Sequence, residues 1–397
     1  MSTHVWRSLR RLGSIALSAG AVAGTAYLAL ALRQVMAFSR RRRAGIVATP
    51  ASRAAFVPPI TIIKPLYGME PELAPNLASF CNQDYPLFQV IFCATDPDDP
   101  AVEVARSVAQ SFPTVDARVI VADAARLANP KIANVQCAEA AAKYDLLAIS
   151  DADMRVDRDY LRAIAAPFAD AEVGAVTCLY GAVPQETLVG ALGAMFVNDH
   201  FAPSVLVAGA LEPLRYCFGS TMAVRRSVLA RIGGLHVLGA SLADDHTLGR
   251  EVAARGLRVA LAPYLTRSMH GKETLRELWR RELRWARIIR SVRPIGSTLA
   301  VVTYVLPIAL GAWLCRPRSF IRFAVFLSAA ILRVRLHCAA RDAFVPESPL
   351  ALPLIPLRDT LALAVWAASR IGSDVRWKGR RYRAKRDVPF VQPSEER

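Results

Sequence analysis

Residues Leu12 to Leu32 form a run of 21 residues without a charge. As a helix such a run spans about 31 Å, the thickness of the hydrocarbon core of a bilayer. A secretory signal is the competing interpretation. Its apolar core is shorter, about 7–15 residues, and a small-residue cleavage site follows it. Here Arg33 and then Arg40, Arg41, Arg42 and Arg43 follow instead. They outnumber Arg7, Arg10 and Arg11 ahead of the run. The positive-inside rule therefore predicts an N-terminus outside and residue 33 onward in the cytoplasm.

The last third of the chain is apolar again. Ile295–Cys315 is a second uncharged run of 21 residues. Phe323–Leu332 is apolar but short for a span, and Leu350–Ser369 carries Arg358 and Asp359, which are costly toward lipid. The basic tail after Arg370 reads as cytoplasmic, which requires an even number of crossings before it. Six arginines between Arg316 and Arg341 conflict with two full crossings, so the number stays open. With 50 Lys and Arg against 33 Asp and Glu, the charge of +17 suits an anionic bilayer or a phosphorylated substrate. It does not suit single-stranded nucleic acid, because no aromatic stacking platform is interleaved with the arginines. The seven cysteines are odd in number and form no C-x-x-C pair, which predicts neither a disulfide framework nor a zinc site.

Between the apolar ends the pattern changes. Short runs rich in β-branched residues recur at Ile60–Ile63, Val90–Cys93, Val119–Val121, Leu146–Ile149 and Val173–Leu179. Helical stretches separate them at Val102–Gln110, Ile132–Lys143 and Tyr160–Phe168. This alternation predicts an α/β domain over residues 58–290 with a mainly parallel sheet. An anchor and basic linker (1–57) precede it, and a membrane-associated region with a basic tail (291–397) follows. Ligands bind such sheets beyond the carboxyl ends of the strands. Asp96, Asp98, Asp99 and Asp151 all follow predicted strands, so they address one crevice.

Asp151-Ala-Asp153 follows the strand Leu146–Ile149. Alternate residues of an extended segment point the same way, so both carboxylates can share one Mg²⁺ or Mn²⁺. A polar turn is the plain alternative. In Asp96-Pro-Asp98-Asp99-Pro100 one acid can cap the helix that follows while another accepts hydrogen bonds from a nucleoside. Lys131, in Asn129-Pro-Lys131-Ile-Ala-Asn134, opens a helix and either adds charge to an anion site or is solvated. Asp244-Asp245 sits in a first helical turn, where acids are favourable on their own. Asp245 is also a candidate general base. Arg281 and Arg284 are i,i+3 in the basic amphipathic stretch Leu275–Val292 and can grip a pyrophosphate. Trp279, Trp285, Ile288 and Ile289 give that stretch an apolar side for the bilayer interface. Together these are the parts needed to move a sugar from a nucleotide diphosphate onto a hydroxyl.

The residues resemble those of the ceramide glucosyltransferases and their bacterial relatives, an inverting family-2/21-type branch that includes hopanoid-associated enzymes. Ile63-Lys64-Pro65-Leu66 with Gly68, and Gln83-Asp84-Tyr85-Pro86, are similar to the family's opening strand and first helix. Asp99 matches its first aspartate, Asn129-Pro130-Lys131-Ile132 with Asn134 its N-P-K-I-x-N string, Asp151 its second aspartate and Asp245 its third. Arg281-x-x-Arg284-Trp285 fits the (Q/R)-x-x-R-W signature. Some eukaryotic members carry glycine at the position of Asp153, so the complete D-x-D here favours metal binding. Thr177–Tyr180 and Phe196–Ala208 look more like the hopanoid-associated branch.

The resemblance implies a GT-A-type nucleotide-sugar-binding domain flanked by transmembrane helices, a UDP-sugar donor and a hydrophobic acceptor, ceramide or hopanoid. On that reading Asp151 and Asp153 hold the metal, Asp96 or Asp99 the uridine, and Lys131 and Asp151 the nucleotide sugar. Asp245 is the base, Arg281 and Arg284 stabilise the departing UDP, and Trp285 flanks the acceptor. His200 is either near the acceptor or structural. The expected setting is a bacterial inner membrane with the catalytic domain cytoplasmic. A processive polysaccharide synthase would share these motifs but needs several well-formed spans. A nonenzymatic membrane or nucleic-acid-binding protein would leave Asp151 and Asp245 without a task.

Overall fold

The computed structural model describes residues 3–46, 56–123, 127–269, 271–377 and 380–384. Much of the basic linker and of the basic tail lies outside them. The chain divides into two compact units, each assembled from separate segments.

One unit takes Arg40–Gln185, Leu211–Lys272 and Arg376–Arg397. Its centre is an eight-stranded sheet. The strands are β1 (Ile60–Pro65), β2 (Phe88–Ala94), β3 (Asp116–Val121), β4 (Leu146–Ile149), β5 (Met154–Arg155), β6 (Val173–Val183), β7 (Met222–Arg225) and β8 (Arg258–Met269), in the order β3-β2-β1-β4-β7-β6-β8-β5. β3, β2, β1 and β4 run parallel, and so do β6 and β8. β7 is antiparallel to both β4 and β6. Every residue of β1 and of β4 is buried, as expected of strands covered on both faces. Alternate residues enter opposite cores. Ile62, Phe92 and Ala148 pack with Phe80 and Val102 on one face. Ile63, Ile91 and Ile149 pack with Ile132 and Leu248 on the other. Burying each of these large side chains stabilises the fold by about 1.5–3 kcal/mol. The parallel register brings the loops after β1, β2 and β4 to one edge of the sheet.

The other unit comprises Met1–Ser39, Glu186–Ala210 and Glu273–Val375. The helices Leu188–Leu211 and Leu275–Val292, which the sequence reading sets inside residues 58–290, thus group for the most part with the membrane-type helices. Among the described residues three helices are long and apolar enough to cross a membrane: Arg10–Ala44, Leu188–Leu211 and Phe320–Phe344. The expected run Leu12–Leu32 lies within the first. Ile295–Cys315 does not form one straight span. Pro294–Thr303 and Val305–Leu314 meet at 60°. Phe323–Leu332, too short by itself, is part of the 25-residue helix Phe320–Phe344. Its arginines hid that helix in the sequence, but Arg333 is buried and paired rather than facing lipid. Arg358 and Asp359 on Ile355–Ser369 are likewise wholly buried. Asp359 binds Arg333 and, at 3.0 Å, His200, while Asp199 binds Arg333 at 3.0 Å and His337 at 2.7 Å. Buried charges are tolerated there because each has an opposite charge or a hydrogen-bond partner.

Candidate active site

The loop after β4 carries Asp151 and Asp153. It is a tight turn and not the extended segment that the alternation argument assumes: Met154 N donates to Asp151 O at 3.2 Å. Both side chains still keep partial access to solvent while Ala152 and Met154 are buried. Lys64, at the end of β1, is completely buried beneath this turn. Its Nζ donates to the Asp151 carbonyl and to Ser150 Oγ (3.3 Å), and lies 3.7 Å from the Phe80 ring centroid. Burial pushes the Lys64 ammonium down to about 7, opposed by the charges of Asp153 and Asp151.

Lys131 is the central cation. The helix Pro130–Glu139 starts beside the turn because Asn129 caps it, accepting from Lys131 N at 2.9 Å and Ile132 N at 3.3 Å. Lys131 is buried, with Nζ 2.7 Å from Asp151 Oδ1 and 3.1 Å from Asp244 Oδ2. The solvated reading of this lysine is therefore replaced by an ion-pair triad in which Lys131 and Asp244 are buried and Asp151 keeps partial access to solvent. Burial works against its charge, but Asp151, Asp244 and Asp245 hold it well above the usual lysine range. The rest of the Asn129–Asn134 string wires the loops together. Asn129 Nδ2 donates to Ser241 O and Asp244 Oδ1, and Asn134 Nδ2 to Leu66 O, while Asn134 Oδ1 accepts from Thr95 Oγ1 at 2.9 Å.

Asp244 and Asp245 open the helix Asp244–Ala254. Asp244 is buried against Lys131 and Asn129, whereas Asp245 stays partly exposed. Its Oδ1 accepts from His246 N at 2.7 Å. Loss of hydration and the charge of Asp244 raise its carboxyl to about 7, the range suited to a base at neutral pH. Asp153 is also raised to about 7, by burial and then by Asp151 and Glu70, although Ser268 Oγ donates to it at 3.2 Å.

Four carboxylates here thus share two ammonium groups, and two of the acids cannot ionise easily. The carboxyl pair Asp151–Asp153 is a hard-oxygen donor set short of positive charge, which fits Mg²⁺ or Mn²⁺. Among the described residues no group of three or more His, Cys, Asp or Glu side chains forms a complete ligand set. The remaining ligands would come from phosphate oxygens.

Gly219 closes the turn from the other side. Asp151 N donates to Gly219 O at 3.2 Å, and a Cβ on Gly219 would stand 2.5 Å from Asp151 Oδ2 and 3.2 Å from Lys131 Nζ. Gly219→Ala should therefore displace the Asp151 carboxylate at an overpacking cost of about 1–3 kcal/mol. A fall of about tenfold or more in transfer rate, with membrane insertion intact, is the expected outcome. Unchanged turnover in a steady-state assay would contradict it.

The loop after β2 carries Asp96, Asp98 and Asp99. Asp99 caps the helix Pro100–Ser111 through Ala101 N (2.9 Å), and both its oxygens accept from Gly68 N. Asp96 is exposed, and its Oδ1 accepts from Asp98 N at 3.0 Å.

Arg281, Arg284 and Trp285 belong to the membrane-type unit, on Leu275–Val292, whose start is a Thr274/Glu277 capping box. Arg281 Nη2 pairs with Glu273 Oε1 at 2.9 Å, and its guanidinium lies 5.2 Å from the Trp285 ring. Trp285 stacks on Phe196. Arg284 is half-buried. The residue between them, Glu282, is the unexpected one. It is buried and bonded to Arg358.

Asp244, Gly219, Glu282 and Arg358 carry no site signal in the sequence, and Lys64 stands out there only as part of the string Ile63-Lys64-Pro65-Leu66. A lysine inside the apolar strand Ile60–Pro65 is the one signal that could have drawn attention, since unpaired charge is not buried.

Residues 16–388 match the model of glycosyl transferase family 21. The chain belongs to that family. Ceramide glucosyltransferase 1 of Caenorhabditis elegans is 26% identical over 239 residues, covering 60% of this chain and 51% of that protein. A ceramide glucosyltransferase of Komagataella phaffii is 36% identical over 108 residues, covering 25% of this chain and 21% of its own length. The chain thus spans about half the length of the first relative and less of the second. Among solved structures, the mannosyltransferase PcManGT from Pyrobaculum calidifontis, in complex with GDP-Man and Mn²⁺, superposes with a TM-score of 0.54 at 20% identity. That match covers 89% of this chain and 98% of the other. The sheet-bearing unit therefore has the GT-A-type fold, and the α/β, mainly parallel expectation holds.

Proposed function

We propose that this member of family 21 moves glucose or N-acetylglucosamine from a UDP-sugar onto a hydroxyl of a membrane lipid, of ceramide or hopanoid type, with inversion at the anomeric carbon. The observation that carries the reading is the buried pair Lys131–Asp244, with the partly exposed Asp151 bound to the same ammonium and Asp245 beside it, at the carboxyl ends of the strands. Asp245 accepts the proton of the acceptor hydroxyl. The freed oxygen attacks the anomeric carbon as the bond from that carbon to the diphosphate breaks, and UDP leaves. One displacement turns an α-linked donor into a β-glycoside. Lys131 and Asp151 address the diphosphate side of the donor. Asp96 or Asp99 contacts the uridine, and Asp99 also shapes the loop through its bonds to Ala101 N and Gly68 N. Arg281 and Arg284 stabilise charge on the departing UDP, and Trp285 flanks the acceptor.

Asp151 and Asp153 would hold the divalent cation, which when bound supplies charge neutralisation for the diphosphate. Asp151→Ala and Asp153→Ala should each abolish metal-dependent transfer while the protein still inserts. Full activity of either variant in EDTA would exclude the metal role. The setting we infer is a bacterial inner membrane with the catalytic domain on the cytoplasmic side, and the arginines after Leu32 support that side. Proteolysis of inverted and right-side-out vesicles tests that side, and cleavage only from the outer face would reverse it.

A lipid acceptor is supported by the three helices among the described residues that are long and apolar enough to cross a membrane, and by relatives named as ceramide glucosyltransferases. The test is incubation of purified protein with labelled UDP-glucose or UDP-N-acetylglucosamine and candidate lipids in micelles. Label should enter the lipid extract. Label found only in a growing water-soluble polymer would overturn the reading.

A further inference from the structure

The helix Ile355–Ser369 carries an arginine and an aspartate side by side, both fully buried. Successive residues on a helix point about 100° apart, so the two address different partners. Asp359 turns to Arg333 and His200. Arg358 turns to Glu282, which lies between Arg281 and Trp285. Nη1 and Nη2 of Arg358 each donate to one Glu282 oxygen at 2.7 Å, and Nη1 also donates to Leu192 O at 3.0 Å. The same guanidinium lies 5.4 Å from the ring centroid of Phe196. Phe196 stacks on Trp285 with centroids 6.0 Å apart and planes at 24°. A Cβ on Gly193 would stand 2.8 Å from Arg281 Nη2, so the backbone of the Leu188–Met195 helix also closes on Arg281. One guanidinium therefore ties three helices together around the Arg281–Trp285 segment.

Stability alone does not account for this pair. An apolar pair of similar volume often stabilises a buried position as well or better. What an apolar pair lacks is direction. Two parallel N–H···O bonds between planar groups set one angle and one distance. We propose that Arg358 is a positioning residue for the transfer step: through Glu282 and Phe196 it holds Arg281 and Trp285 in their working orientation. The proposal rests on the roles given to those two residues above.

The experiment compares wild type, the double variant Glu282→Leu/Arg358→Met and Arg358→Lys, all as full chains in detergent micelles. The readouts are kcat, KM for the UDP-sugar, thermal midpoint and hydrogen–deuterium exchange of residues 275–292. The double variant should melt within a few degrees of wild type. Its kcat should fall about 100-fold, the penalty of a displacement near 1 Å, with KM for the donor within about twofold. Exchange over 275–292 should quicken. Lysine supplies a point charge without the fork, so Arg358→Lys should keep the charge pair and the thermal midpoint near wild type but show the same fall in kcat. A double variant with kcat within about twofold of wild type would overturn the proposal, as would the same result for Arg358→Lys. If the double variant fails to insert, Arg358→Lys alone decides in the same way. Wild type that transfers no sugar to any lipid removes the functional reading and the positioning role with it, an outcome distinct from an active but insensitive enzyme.

Discussion

Replacing Asp245 with asparagine is expected to lower kcat by about 10²–10⁴-fold, the usual contribution of a positioned base. An amide of the same shape cannot accept the hydroxyl proton. Donor binding should persist, because Lys131 and Asp151 are untouched. Calorimetric titration with UDP beside a turnover assay separates the two. Turnover near the wild-type value would place the base elsewhere. The wild-type pH profile carries the same information. Burial and Asp244 put the Asp245 carboxyl at about 7. Below that value it is protonated and cannot act, so kcat/KM should drop as pH falls through about 7. The asparagine variant should lose that limb. A wild-type rate flat from pH 5.5 to 8.5 would contradict the assignment.

Lys131→Met should have the second largest effect, and it should appear in both stability and pH dependence. The ammonium is the shared partner of Asp151 and Asp244 in a buried setting. Removing the ammonium leaves the buried Asp244 carboxylate uncompensated, at a cost of about 3–5 kcal/mol, while the partly exposed Asp151 is screened by solvent and loses less. The folded pKa of Lys131 lies above its unfolded value, so its stabilising contribution is complete at neutral pH and fades only as pH rises beyond the normal lysine range. The loss in the variant should therefore be large at pH 7 and should shrink only at strongly alkaline pH. Lys131 also favours the ionised form of Asp245. Without it, the midpoint of the activity profile should move above 7. Thermal unfolding in detergent and a pH–rate series check both. Equal melting of variant and wild type at pH 7 would show that the triad is not formed.

Much of the sheet-bearing unit was legible because its signals are local. Ile60–Ile63, Val90–Cys93 and Leu146–Ile149 are short β-branched runs between turn residues, and each lies within an observed strand. A carboxylate after a strand end, such as Asp151, is placed at the binding edge by parallel topology alone. The membrane-type helices were less legible. Hydropathy registers Arg333 and Arg358 as penalties, and it cannot register that Asp359 and Glu282 cancel them from 26 and 76 residues away. The same limit explains Ile295–Cys315, where composition predicts one span but cannot predict a 60° bend.

What the chain of residues determined by itself was the strand–helix alternation, the apolar segments and the types of side chain at the strand ends. These depend on periodicity, charge and turn chemistry, all of which act over a few residues. What only the tertiary structure decided was which charges meet. Lys131 could have been solvated, yet folding sets it between Asp151 and Asp244. Asp99 caps a helix, as its spacing allows, and the fold adds Gly68 N as a second donor to the same carboxylate. Asp245 reaches a pKa near neutrality because burial and a neighbouring carboxylate act on it together. Such pairings and pKa values follow from distance and desolvation in the folded chain, and neither quantity is a property of sequence spacing.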